Sequence, residues 1–431
     1  MRWHESAWTH RIKENEVARP ETEGEYIHGW PDRARARALE STDAEGRTIY
    51  ARSPLLELQG LVTPTDATYV VAQLNMCDPI FPDDYSVRVT GMIDKPCELS
   101  LRDLQMLPTR TVRCVMECAG DDGEYFLWQQ GKVKKPSRLA RPHGEGGWNQ
   151  MSRGDHKPRV EEILDAIPTT CLVSGGEWTG VSLRDVLELV GLRDGVESVY
   201  VKGHDTGRPD PTAQYLSTGR TDIDVVDPGV IHYDKALPLE KALDRDTLLV
   251  WAHNGEYLRH VHGAPLRLIV PGWSGNWSVK WIEEISLLPS TPDCYYQTHY
   301  FVLADTPESP DRSPCMELGC KSVILNPIDE DSPLSQGDHL ISGLAWSGRG
   351  AVTAVDVSFD DGETWHPARV EEHADRWLWR RWTFVWRGAV PGRHRIISRA
   401  MDEAGRVQPQ TRPNFQNKHF DGFAPVEVEV Y

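Results

Sequence analysis

The sequence predicts an α+β domain followed by a small all-β domain, and three observations carry that prediction. Short β-branched runs broken by Gly, Pro and Asp dominate residues 52–330. Only one segment among them shows a clear helical stripe, without the regular strand–helix alternation of a doubly wound sheet. From about Gly337, strand-like runs follow one another with turn residues between them.

Taken in order, residues 1–51 are polar and irregular, with a basic cluster at Arg33-Ala-Arg-Ala-Arg37, and read as an N-terminal arm or a disordered lead. Tyr85–Thr90 and Arg110–Met116 read as strands. Leu183, Val186, Leu187 and Val190 make one apolar stripe, which predicts a helix with Ser182 as its N-cap and Gly191 as its stop. Asn326–Pro333 is linker-like and divides a unit at 52–330 from one at 335–431. In the latter, His339–Trp346, Val352–Phe359, Trp377–Trp386, His394–Met401 and Val426–Val430 read as strands. Asp360-Asp361-Gly362 marks a hairpin. These runs describe a small β-sandwich.

The chain has 431 residues, more than one ordinary domain holds. A net charge of −18 argues against a nucleic-acid binder and suits a partner with a basic docking face. No apolar run reaches the roughly 20 residues that span a bilayer, so no membrane partner is expected. The N-terminus shows no basic-then-apolar stretch, which predicts a cytoplasmic protein unless an export peptide has been removed. The eight cysteines form neither a haem-attachment motif nor a zinc-finger pair.

Cys118 stands in Arg113-Cys-Val-Met-Glu-Cys-Ala-Gly120, at the end of a strand-like run. Ala-Gly after it removes bulk, so a large group can approach the sulfur, and a thiolate is a soft ligand for a transition metal. Cys114, four residues earlier, falls on the same face of a strand. Taken alone, the pattern fits a pair of small buried thiols equally well.

The surrounding set of motifs resembles the sulfite oxidase family of molybdopterin oxidoreductases. Cys118-Ala-Gly120 is similar to its cysteine motif, and Trp178-Thr-Gly-Val-Ser-Leu183 to its Trp-x-Gly-x-x-Leu segment. Leu248–Glu256, His262-Gly-Ala-Pro-Leu-Arg267, Val270-Pro-Gly272 and Gly275-Asn-Trp-Ser-Val-Lys-Trp281 follow in the family's order and spacing. Gly343–Gly350, Val357–Trp365 and Arg399–Pro409 resemble its immunoglobulin-like dimerisation domain. The resemblance implies one molybdopterin cofactor, with molybdenum bound by Cys118. It further implies that Asp205, His262, Arg267, Ser278, Val279 and Lys280 contact the pterin and its phosphate. Arg267 and Lys280 are groups that a buried phosphate needs, one a fork and one a point charge. Asp205, before Thr-Gly, is also an ordinary turn residue, and Arg267 could be a surface ion-pair partner. Tyr300 falls within a residue of the family's active-site tyrosine, with Tyr296 as fallback; either could instead be a packed aromatic.

Two departures bear on substrate. The family follows Cys-Ala-Gly with Asn-Arg-Arg, where this chain has Asp121-Asp122-Gly123, and the arginine of its upstream Arg-Asn-His segment falls at Ala72 in Tyr69–Leu74. Without those anion-binding arginines, the local motifs are closer to the molybdenum subunit of sulfane dehydrogenase. An insertion at 131–159 carries eight basic and two acidic side chains, a net +6, and would restore positive charge if it lay over the site; it could equally be a solvated loop.

The resemblance implies two-electron oxidation of a sulfur compound, sulfite or protein-bound sulfane sulfur, by oxygen-atom transfer. An external acceptor such as a c-type cytochrome would receive the electrons, and the chain would form a homodimer through its C-terminal domain. Reduction of an oxide such as nitrate or a sulfoxide, and a non-catalytic module with a degenerate site, are the rival readings.

Overall fold

A computed structural model describes residues 41–42, 48–51, 53, 60–132, 135–136, 170–209, 226–306, 308–328, 333–410 and 414–431. Most of the expected N-terminal arm and of the basic insertion lie outside the described residues.

Two five-stranded sheets build the part that holds the site. One is mixed, ordered Cys97–Ser100, Ser86–Gly91, Ile282–Leu288, Ser198–Gly207, Ile231–Pro238, with its only parallel pairing between the second and third. The other runs Glu256–Tyr257, Leu248–His253, Val173–Ser182, Thr109–Glu117, and Arg267–Ile269 pairs with Leu248–His253 beside this path. Inward residues of both sheets, among them Val87, Val89, Val199, Ile285, Val181, Leu249 and Leu268, share one core. The few helices are short, so the chain is richer in sheet than its sequence suggests.

The expected helix forms at Leu183–Val190, and its four apolar positions are at most 1 % exposed. Gly191 ends it at φ +79°, a left-handed value that favours glycine. Ser182 occupies the N-cap position but makes no capping bond, and its hydroxyl has no partner among the described residues. Packing of the stripe, rather than capping, holds this helix.

Two four-stranded sheets make the C-terminal part: Lys321–Asn326, Gly337–Trp346, Arg380–Ala389, Arg369–Val370, and His366–Pro367, Val352–Ser358, Gly392–Asp402, Val426–Val430. Ile324, Ile341 and Trp382 of the first share a core with Val355, Val357, Ile396 and Val428 of the second. The hairpin is present, with Asp361 and Gly362 at positive φ. Two sequence expectations shift. Strand Lys321–Asn326 already belongs to these sheets, so Asn326–Pro333 lies between two paired strands instead of between two units. The run expected at Trp377–Trp386 pairs only from Arg380, because Trp377 turns to the other sheet, where its carbonyl accepts from the Val115 amide at 2.9 Å. No helix among the described residues is long and apolar enough to cross a membrane.

Leu187 is fully buried between helix and sheets. Leu187→Ala should lower unfolding free energy by about 2–5 kcal/mol, read as a shifted midpoint in urea melts.

Candidate functional site

A cavity opens where the strand ends and connecting turns of the two large sheets meet. Tyr69–Gln73, Met116, Cys118, Asp205, Tyr233, Val261, His262 and Arg267 line it, with Gly275, Asn276, Ser278, Lys280 and Phe301. Six positions singled out in the sequence thus meet at one cavity from four separate stretches: Cys118, Asp205, His262, Arg267, Ser278 and Lys280. Gly275 is required there, since a Cβ would stand 2.3 Å from the Tyr69 hydroxyl.

Cys118 follows strand Thr109–Glu117, held in line with Val173–Ser182 by nine register pairs. Its sulfur accepts a weak bond from the Gly120 amide at 3.5 Å. Burial pushes its thiol up to about 11, opposed by the Gly120 amide and the Lys418 ammonium. A metal that binds it must therefore displace a proton. Cys114 does not reach the cavity; it is buried among apolar side chains, with its thiol pushed up to about 12.

Buried cations form the opposite wall. Arg267 donates to the carbonyls of His262 (2.9 Å) and Ser278 (3.1 Å), and its guanidinium centre lies 5.1 Å from the Trp178 ring centre. Burial draws Arg267 down to about 10, so it stays charged at neutral pH. Lys280 Nζ donates to the Val261 carbonyl at 3.1 Å and sits 4.3 Å from the Trp281 ring centre. Burial pushes the Lys280 ammonium down and the Asp205 carboxyl up, while attraction between them opposes both shifts. His262 is held neutral by burial and the neighbouring positive groups; Nε2–H donates to the Thr65 carbonyl at 3.1 Å. The Ser278 hydroxyl accepts from the Val270 amide at 3.3 Å.

Two expected residues are not brought to the cavity. Val279 points into the core, its backbone pairing with Leu268 and Trp277. Tyr300 ends a wide helical turn, Tyr296–Tyr300, and packs against Tyr296 and Phe301 with the Lys418 ammonium 5.0 Å from its ring centre. The side chain that reaches the cavity is Phe301, which has no proton to give. Tyr296 is also off the lining; its hydroxyl donates to the Gln73 carbonyl at 3.3 Å.

The structure adds residues that the motifs do not contain. Tyr233 lines the cavity and donates to the Asn276 carbonyl at 2.7 Å. Lys418, 5 % exposed, comes from the C-terminal stretch to the neighbourhood of Cys118. A point one carbon beyond the Gly120 Cα lies 3.5 Å from its Nζ and 3.9 Å from the Cys118 sulfur. Ala72 and Tyr69 confirm that the Tyr69–Leu74 stretch faces the site, although no arginine stands in it. Asp121 and Asp122 turn away. Asp121 accepts from the amides of Cys171 (3.1 Å) and Leu172 (2.9 Å), and Asp122 pairs with Lys321 at 2.7 Å.

Residues 74–137 and 158–296 match the model of the oxidoreductase molybdopterin binding domain, and 312–417 match the Mo-co oxidoreductase dimerisation domain. The chain belongs to the sulfite oxidase family of molybdopterin oxidoreductases, whose cofactor carries molybdenum on a pterin. It is 28 % identical to mitochondrial sulfite oxidase of Rattus norvegicus over 83 % of this chain and 59 % of that one. It is 30 % identical to an NADH nitrate reductase of Brassica napus over 84 % of this chain and 38 % of that one. The chain thus spans about three-fifths or less of the length of these relatives. The crystal structure of the sulfane dehydrogenase SoxCD from Paracoccus pantotrophus has the same fold, with a TM-score of 0.68 at 24 % identity, covering 96 % of this chain and 95 % of that one.

The cavity fits such a group. Asp205 Oδ1, Arg267 Nε and both side-chain polar atoms of Asn276 are buried without a partner among the described residues. Buried polar atoms of this kind call for a polar ligand.

In cofactor-free protein, alkylation of Cys118 should speed up about tenfold per pH unit from about pH 8 to 10, because only the thiolate reacts. Lys418→Met should slow it further by removing the charge that favours the thiolate. Peptide mapping by mass spectrometry reads both; a rate that is flat from neutral pH would show the thiolate already formed.

Proposed function

We propose that the chain is a molybdenum-dependent oxidoreductase that oxidises a sulfur compound, sulfite or sulfane sulfur, and passes the electrons to an external acceptor. The supporting observation is a buried cavity whose cations answer to backbone carbonyls, with a cysteine sulfur at one wall and Lys418 beside it. Bound there, the molybdenum cofactor supplies two-electron oxygen-atom transfer.

Arg267, Lys280 and Ser278 would hold the phosphate end, where fork and point charge act together. His262, neutral, offers Nδ1 as an acceptor once Nε2–H is engaged, and Asp205 and Asn276 offer their unpartnered atoms to the pterin's polar edge. Val279 would contribute through its backbone alone. Cys118 gives up its proton to ligate the metal. Phe301 and Met116 keep water from the sulfur's surroundings, which strengthens every charge interaction inside. Lys418 stands near the Cys118 sulfur, where it would attract an anionic substrate and would thereby offset the absence of arginine at Ala72, Asp122 and Gly123.

The C-terminal pair of sheets reads as an immunoglobulin-like sandwich that joins two copies of the chain, in line with the dimerisation-domain match. A net charge of −18 suits a basic acceptor such as a c-type cytochrome.

Anaerobic dye reduction with molybdenum-loaded protein tests the reading. Sulfite, thiosulfate or a protein-bound sulfane should reduce the dye. Oxidation of a reduced dye by nitrate or a sulfoxide instead would show the opposite direction of chemistry, and molybdenum-replete protein inert in both would show a non-catalytic module. Cys118→Ser should abolish turnover. Lys418→Met should raise the KM for an anionic substrate about ten- to a hundredfold, the loss expected for one charged hydrogen bond, with a smaller change in kcat.

A further inference from the structure

The loop that presents Cys118 is gripped from the C-terminal half of the molecule. Lys321 Nζ lies 2.7 Å from Glu117 Oε1 and 2.7 Å from Asp122 Oδ2, and the three side chains are 1 %, 8 % and 0 % exposed. These carboxylates belong to the residue before Cys118 and to a residue four places after it. Trp346 Nε1 donates 2.7 Å to the other oxygen of Glu117. Lys321 and Trp346 face each other across paired strands, so the grip comes from one rigid place in a sheet. His419 adds a third point, its amide donating to the Ala119 carbonyl at 2.8 Å. On the other side, the Thr170 hydroxyl donates to Asp122 at 2.9 Å, and the Cys171 and Leu172 amides hold Asp121. Asp122 sits at φ +61°, a left-handed value that a non-glycine residue keeps only when its surroundings hold it.

We propose that Lys321 is a positioning residue for the Cys118 thiolate: one buried ammonium binds the chain on both sides of the cysteine and so sets where the sulfur stands at the metal. The proposal rests on the reading of Cys118 as the metal ligand. It makes the C-terminal sheets part of the site as well as a means of dimerisation. A buried ion cluster is a weak source of stability, because desolvation offsets most of the attraction; its directional bonds instead select one arrangement of the loop. Lys321 is not part of the cavity lining, and its two carboxylates at bonding distance are Glu117 and Asp122. Its effect must pass through Glu117 and Asp122.

Three variants test this. Lys321→Met leaves two buried carboxylates uncompensated, Lys321→Arg keeps the charge, and Glu117→Gln/Asp122→Asn/Lys321→Met removes the cluster without leaving a bare charge. In cofactor-free protein, hydrogen exchange of residues 118–123, measured against helix Leu183–Val190, should rise about tenfold in Lys321→Met, as expected when a charged bond no longer resists local opening. Lys321→Arg should restore part of the protection. In loaded protein, X-ray absorption at the molybdenum edge should show a weakened or missing thiolate, and kcat should fall more than KM rises. If Lys321→Met does not fold, the triple variant decides: loosened exchange and an altered metal spectrum are expected. A folded triple variant with the exchange and spectrum of the parent overturns the proposal. The ligand reading fails separately, if Cys118→Ser keeps the parent's sulfur count at the metal; the exchange result for Lys321 would still stand or fall by itself.

Discussion

Burying positive charge without neutralising it is the constraint on which the site depends. An ammonium or guanidinium taken out of water needs compensation, and a carboxylate is the usual source. Around this cavity the compensation comes chiefly from carbonyl oxygens: His262 and Ser278 for Arg267, Val261 for Lys280. Lys235, just outside it, donates to the Tyr296 carbonyl and lies within 6 Å of the ring centres of Tyr233, Trp277 and Phe301. Carbonyl dipoles and ring faces lower the cost of burial; burial still draws Lys235 and Lys280 well down, while Arg267 keeps its charge. Only Asp205 opposes it, and burial drives that carboxyl toward its neutral form. A cavity of this kind is ready for an anion.

Lys321 shows the contrasting use of the same chemistry. It is as deeply buried, yet it meets two carboxylates at bonding distance, and their charge, against the opposing effect of burial, pushes it well above the ordinary lysine range. The ion cluster holds its charge for structure. Arg267 and Lys280, which line the cavity, answer to carbonyls, whereas Lys321, away from it, answers to carboxylates, and burial by itself would not have told them apart.

What could be read from the sequence follows the same division. Cys118, His262, Arg267, Ser278 and Lys280 lie in compact segments whose order and spacing carry the resemblance, and the cavity gathers them together with Asp205. The stripe at Leu183–Val190 was legible because its apolar period is a local property. Lys418 and Tyr233 were not, since tertiary packing brings one near Cys118 and the other to the cavity from stretches with no pattern of their own. Tyr300 and Phe301 differ by one position on a wide helical turn, where a single residue changes which side chain faces inward. Strand Lys321–Asn326 was hidden because its Lys and Ser, buried by partners far away in sequence, read as surface residues. The Lys321 cluster was hidden for the same reason: neither Asp121-Asp122 nor a lone lysine two hundred residues on implies the other.

The aspartates beside Cys118, which stand where the family has asparagine and arginine, therefore have two readings, and geometry decides between them. Had they faced the cavity, two carboxylates would have repelled an anionic substrate and worked against Arg267 and Lys280. Both instead turn away from it, toward backbone amides and Lys321. Burial pushes the Asp121 carboxyl well up, and what charge it keeps disfavours the Cys118 thiolate, which the nearby Lys418 ammonium favours. At these two positions the chain makes bonds that hold the Cys118 loop. Under the proposed function the anion-binding role would fall to Lys418, distant in sequence and close to the sulfur in space.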